Sequence, residues 1–123
     1  MITPEEQIDL YRDNTCGLLQ ALQVGIHRVG YRHLVILIPC YAMDAEQSLT
    51  KELYPYAAAR FGYSAWQPVE RAVRVAIQDA WARGDPAVWE KYFPGAKKPP
   101  SNKRFIATLA ERLKKTPPDD GRG

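Results

Sequence analysis

Hydrophobic positions recur at helical spacing along almost the whole chain. Ile8, Tyr11, Thr15, Leu18, Leu19, Leu22 and Ile26 fall on one face of a first helix. Its start is predicted by Thr3 as N-cap, Pro4 at the first helical position and Glu6 closing a capping box. Gly25 and Gly30 bracket the expected exit. A second element begins near Tyr31, where Leu34-Val35-Ile36-Leu37-Ile38 is apolar all round. Such a run suits a buried strand or a buried helix equally. Helical neighbours and the lack of any partner strand pattern favour a helix, kinked or ended by Pro39, which has no N–H to give. A third helix is expected from near Ser48, with Leu49, Leu53, Ala57 and Phe61 on one side. Pro55 predicts an early kink or a late start, and Gly62 takes a left-handed terminating conformation cheaply.

The fourth helix is the clearest. Val69, Ala72, Val73, Ala76, Ile77, Ala80 and Trp81 follow the i, i+3, i+4, i+7 rule, opposite Glu70, Arg71, Arg74, Gln78 and Arg83. Gly84 closes it. A short fifth helix, about 86–92, follows Asp85 as N-cap. After a loop over 94–100, Ser101 caps a sixth helix with the stripe Phe105, Ile106, Leu109, Ala110 and Leu113. Trp81 and Trp89 read as core aromatics, whereas Trp66, between two helices, is open to a ligand or base contact. The pattern predicts an all-α domain of six helices over residues 1–115 and a flexible C-terminal tail over 116–123.

Composition narrows the function class. The chain has 123 residues, 46% of them hydrophobic and 25% charged, enough for a core without disulfide or metal staples. No apolar run approaches the roughly 18 residues needed to span a membrane, and the acidic N-terminus lacks the layout of a signal peptide. A soluble, cytoplasmic protein without a membrane partner is expected. Cys16 and Cys40 make no disulfide framework. Together with His27 and His33 they lack the close ligand pairs of structural zinc sites. No phosphate-cradling glycine loop and no GxSxG elbow is present. Neither an enzyme nor a bound cofactor or metal is expected.

Charge changes the picture more. The net +3 is uneven: residues 1–60 carry five Lys/Arg against seven Asp/Glu, and residues 96–123 carry eight against three. The C-terminal excess can attract phosphates at long range, with a solvated face as the plain alternative. Helices three and four, joined across Gly62–Gln67, have the form of a helix-turn-helix. Arg71 and Arg74 can donate to guanine, and Glu70 can accept from cytosine. The same residues also suit a salt-bridged solvent face, because Glu70 and Arg74 are four apart. Pattern alone leaves the choice open.

Longer strings decide it. They are Gly30-Tyr31 with Leu34; Leu49-Thr50-Lys51 with Leu53-Tyr54-Pro55; Val69-Glu70-Arg71-Ala72-Val73-Arg74 with Ala76-Ile77; Ala80-Trp81-Ala82-Arg83-Gly84; and Pro100-Ser101-Asn102 with Phe105-Ile106-Ala107. From about Leu18 to Lys114 the chain resembles the C-terminal effector domain of the sporulation stage-zero master response regulator. The resemblance implies a six-helix transcription-factor domain that binds double-stranded DNA, often as tandem copies, and contacts RNA polymerase. A homodimer on tandem sites follows from the same resemblance. Glu70, Arg71 and Arg74 match recognition-helix positions that face DNA, and Lys51 matches a position where a phosphate contact is reasonable. Gln67 and Gln78 join the DNA-facing set, and Lys98, Lys103 and Arg104 are expected to touch phosphates.

Three departures modify that expectation. Gln67-Pro68 stands where the family has a Ser-Arg pair whose arginine reads a base. The turn between Phe61 and Val69 is one residue longer than the family's, so that Ser64-Ala65-Trp66-Gln67 forms a capping box or the helix starts at Pro68 itself. Val75 replaces a histidine-type residue and cannot hydrogen-bond. An altered operator is expected. The alternative is a protein-interaction module of the same fold that has lost DNA readout and binds a regulator or polymerase subunit. The chain has no room for a receiver domain, and Met1 with an acidic first helix reads as a free-standing protein.

Overall fold

Thr3 starts the first helix as expected: its hydroxyl accepts from the Glu6 N–H at 3.1 Å, and the Glu6 carboxylate accepts from the Thr3 N–H at 2.8 Å. That helix is α1, Pro4–Ala21. The computed structural model describes residues 3–115, and the expected tail over 116–123 lies outside the described residues. The other elements are α2 (Val29–Met43), α3 (Tyr54–Arg60), α4 (Gln67–Arg83), α5 (Pro86–Tyr92) and α6 (Asn102–Lys115). A π-helical turn, Leu49–Leu53, leads into α3. The domain is all-α, with no strand among the described residues. No helix there is long and apolar enough to cross a membrane.

The elements pack around α2, which lies against α1, α4 and α6. Leu34, Leu37 and Ile38 from α2 meet Val73, Ala76 and Ile77 from α4 and Phe105, Ile106 and Leu109 from α6 in one buried cluster. Burying the apolar face of each helix here supplies the main driving force of folding. Gly30 explains how α2 approaches α4 so closely. A Cβ at that position would collide with the Ala72 carbonyl oxygen and sit 2.7 Å from the Ala76 Cβ. The α5 end is closed by aromatic rings: Trp89 lies 5.3 Å from Trp81 and 5.5 Å from Phe93, which stacks on Phe105 at 5.7 Å. Trp89 is therefore core, as its spacing implies, and Trp81 packs half-buried on the same cluster.

Three local expectations are revised. First, α2 neither ends nor begins where the run of apolar residues implied. It starts at Val29, passes through Pro39 and continues to Met43, with Asp44 N–H still bonded to the Cys40 carbonyl. Proline removes the bond to Val35, but burial of Leu37, Ile38, Pro39 and Ala42 offsets that loss. Second, the exit from α1 is made by Gln23, in the left-handed region at φ 63°, not by the glycines. Val24 N–H returns to the Leu19 carbonyl, and the Gln23 carbonyl accepts from Arg83 at 3.0 Å. Third, only Thr15, Leu19 and Leu22 of the α1 stripe are fully buried; Ile8 is exposed, and Ile26 lies beyond the helix. Gly84 closes α4 as expected, in an extended conformation at φ −75°, and glycine is required there because a Cβ would strike the Trp89 indole. Gly62, by contrast, is left-handed at φ 76° and closes α3 with the Tyr63 N–H bonded to the Ala58 carbonyl.

Candidate nucleic-acid interface

The turn before α4 decides where its outer face lies. Six residues, Phe61–Trp66, separate α3 from α4. The capping box at Ser64–Gln67 does not form. Trp66 is the N-cap, without a side-chain cap bond, and α4 begins at Gln67 with Pro68 in its first turn. The Trp66 carbonyl instead accepts the N–H groups of Val69 and Glu70, at 3.0 and 3.3 Å. Trp66 stacks on Tyr54, ring centroids 5.8 Å apart and planes 10° apart, and both line a surface cleft. Trp66 is thus half-buried and partly available, between the two roles its position allowed.

One side chain clamps the three segments that meet here. Asn102 Nδ2 donates to the Glu70 carbonyl at 3.0 Å and to the Tyr54 hydroxyl at 3.2 Å, tying the start of α6 to α4 and to α3. Burial pushes the Tyr54 phenol above its ordinary value, so it stays a neutral partner. Neither Asn102 nor Tyr54 stood among the sequence-derived site residues. Both lie in strings that carry the family resemblance, but their pairing is 48 residues apart and has no local signal.

Around this clamp lies a cleft of about 1030 Å³, walled by the segment before α3, the outer face of α4 and the start of α6. Of the sequence-derived residues, Glu70, Arg74, Gln78, Lys98 and Lys103 line it. Arg71, Gln67, Lys51 and Arg104 do not, although all four are solvent-exposed. Arg71 and Gln67 stand on the adjoining outer surface of α4. Lys51 sits in the π-helical turn, its N–H held by the Ser48 hydroxyl at 3.1 Å. Arg104 occupies the first turn of α6, its N–H bonded to the Ser101 hydroxyl at 3.2 Å.

The Glu70–Arg74 ion pair does form, so the salt-bridged face exists. Yet the two side chains remain 31% and 46% exposed, at the cleft. An exposed pair of this kind is worth at most about 1 kcal/mol, so either partner exchanges its contact cheaply for a ligand group. The pair and the binding surface are therefore compatible, and the two readings of the sequence are not exclusive.

The basic C-terminal excess is divided by the fold. Lys98, Lys103 and Arg104 gather at the start of α6. Lys114 and Lys115 lie at its other end, about 18 Å further along at 1.5 Å per residue. Arg112 is engaged elsewhere, its guanidinium 4.2 Å over the Tyr92 ring and bonded to the Lys91 carbonyl at 3.3 Å. Of the basic run, Lys98 and Lys103 are the side chains that line the cleft among the described residues. Among the described residues, no group of three His, Cys, Asp or Glu side chains is placed to hold a metal ion.

Residues 15–113 match the family described as "Sporulation initiation factor Spo0A C terminal". The matched stretch takes in α2 to α5 whole, the C-terminal part of α1 from residue 15, most of α6, and every side chain of the cleft. The chain belongs to that family of DNA-binding effector domains.

Proposed function

We propose that the protein is a sequence-specific transcriptional regulator that binds double-stranded DNA with the outer face of α4 in the major groove. Arg71 and Arg74 donate to base edges or phosphates, Glu70 accepts from a base, and Gln67 and Gln78 complete the face. Lys51, Lys98, Lys103 and Arg104 neutralise phosphates on either side. The observation that carries this reading is the Asn102 clamp. It joins α4 to the start of α6, so the reading helix and the basic turn of Lys103 and Arg104 form one rigid surface. Two copies on tandem sites, and a contact to RNA polymerase, belong to the same proposal.

Selection of binders from random duplex DNA, at two salt concentrations, tests it. An enriched motif is expected, with affinity falling steeply as salt rises. Each neutralised phosphate contributes a slope of about −0.9 in log affinity against log salt, so four contacts give about −3.6. Weak binding without a motif overturns the proposal and leaves an interaction module that has lost DNA readout.

A further inference from the structure

The exposed side chains of α4 are polar at every large position but one. Arg71, Val75, Gln78 and Ala82 form its outermost row, at i, i+4, i+7 and i+11, and all are exposed. Val75 is 42% exposed and is the single large apolar residue of α4 left open. A β-branched residue there lowers helix propensity, and Val75 takes no part in the core cluster. One exposed valine is ordinary in itself. Its neighbours give it chemistry: a guanidinium one turn before it and a carboxamide three residues after it.

We infer that Val75 is a specificity-determining residue that packs against the 5-methyl group of a thymine. This inference rests on the proposed placement of α4 in the major groove. Among the features that base pairs present there, the thymine methyl is the apolar one. Valine offers no donor or acceptor, so any other base beneath it keeps a polar edge dehydrated and unpaired. Four residues of helix rise about 6 Å, and base pairs stack about 3.4 Å apart. The thymine therefore lies about two base pairs from the base read by Arg71.

The test uses the full chain and the duplex recovered by selection. The position read by Arg71 is located first, as the one whose preference disappears in Arg71→Ala. Each thymine within three base pairs of it is then replaced by deoxyuridine, which pairs identically and lacks the methyl. At one position the wild type is expected to bind about fourfold more weakly, the worth of one methyl group removed from water. Val75→Ala is expected to show the same weakening on the original duplex and no further loss with deoxyuridine. Its exposed position on a helix makes a folding failure easy to exclude by circular dichroism. Unchanged affinity at every deoxyuridine overturns the inference, as does a deoxyuridine penalty in Val75→Ala as large as the wild type's. Either result leaves DNA recognition by α4 standing, whereas failure to recover any motif removes both.

Discussion

Helix α4 carries two carboxylate–arginine pairs at the same spacing, and they do different work. At its C-terminal half, Asp79 accepts from Arg83 at 2.9 Å and from Arg28 of the α1–α2 segment at 3.0 Å. Arg83 also donates to the Gln23 carbonyl, so every member of this group is engaged within the fold. Hydrogen bonds from Arg83 and then Arg28 hold the Asp79 carboxyl below its ordinary range. At the N-terminal half, Glu70 and Arg74 pair only with each other and face a cleft bordered by Lys98 and Lys103. Identical local spacing gives a fastening at one end and an exchangeable surface at the other. The difference lies in what the rest of the chain brings alongside.

The largest effect is expected where one residue supports both halves. Gly30 lets α2 cross α4 at Ala72 and Ala76, from within the first pair's turn to the turn before the second pair. Gly30→Ala is expected to cost about 3 kcal/mol of stability, at the upper end of overpacking losses, because backbone rather than a flexible side chain obstructs the new methyl. Denaturant unfolding measures it, and a loss below 1 kcal/mol would mean that the crossing relaxes freely.

Next come the two pairs themselves. Arg71→Ala and Arg74→Ala are each expected to lose about 1–3 kcal/mol of site-specific DNA binding with little change in melting temperature. Arg83→Ala is expected to do the reverse, lowering the melting temperature by a few degrees and leaving affinity for the selected duplex unchanged. Affinity that falls equally in all three variants would dissolve the distinction between the two ends.

A smaller effect is expected from pH. His33 is fully buried, its Nε2 3.4 Å from the Tyr63 hydroxyl and its ring 4.6 Å from that of Phe61. Burial, and then the nearby Arg32, lowers its pKa below the ordinary 6.5. The unfolded chain therefore binds a proton that the folded chain refuses. Stability present above about pH 6.5 declines as pH falls further. Thermal unfolding at pH 7.5 and 5.5 should show the lower melting temperature at pH 5.5. Because His33 supports the turn before α4, imidazole NMR shifts assign the titration.

The smallest expected effect is a gain. Gln23→Gly relieves the left-handed conformation at φ 63° while keeping the carbonyl that Arg83 uses. An increase of about 0.5–1 kcal/mol is expected from chemical denaturation. No gain would show that the Gln23 side chain itself contributes to the fastening.

Much of this was legible before any coordinates. The Thr3 box, the Asp85 and Ser101 caps and the stripe of α4 depend on residues three or four apart, and each stands in the structure. Pro39 does not end α2, because its penalty is local, whereas the burial that carries the helix past it comes from distant helices. Gly25 and Gly30 misplaced the exit of α1 because glycine permits a turn without requiring one. Gln23 takes the strained conformation where a carbonyl is needed by Arg83, 60 residues away.

The site divides in the same way. Helical periodicity alone put Glu70, Arg71, Arg74 and Gln78 on the outer side of α4, since that side is what remains when the apolar stripe turns inward. Only the tertiary structure chose among the basic residues. It brought Lys98 and Lys103 to the cleft, laid Arg112 over Tyr92 and set Lys114 and Lys115 at the far end of α6. It alone made Asn102 the clamp, through bonds spanning 32 and 48 residues. Short-range patterns record how each helix turns; which helices share a surface is decided when their apolar faces pack together, and that information is spread over the whole chain.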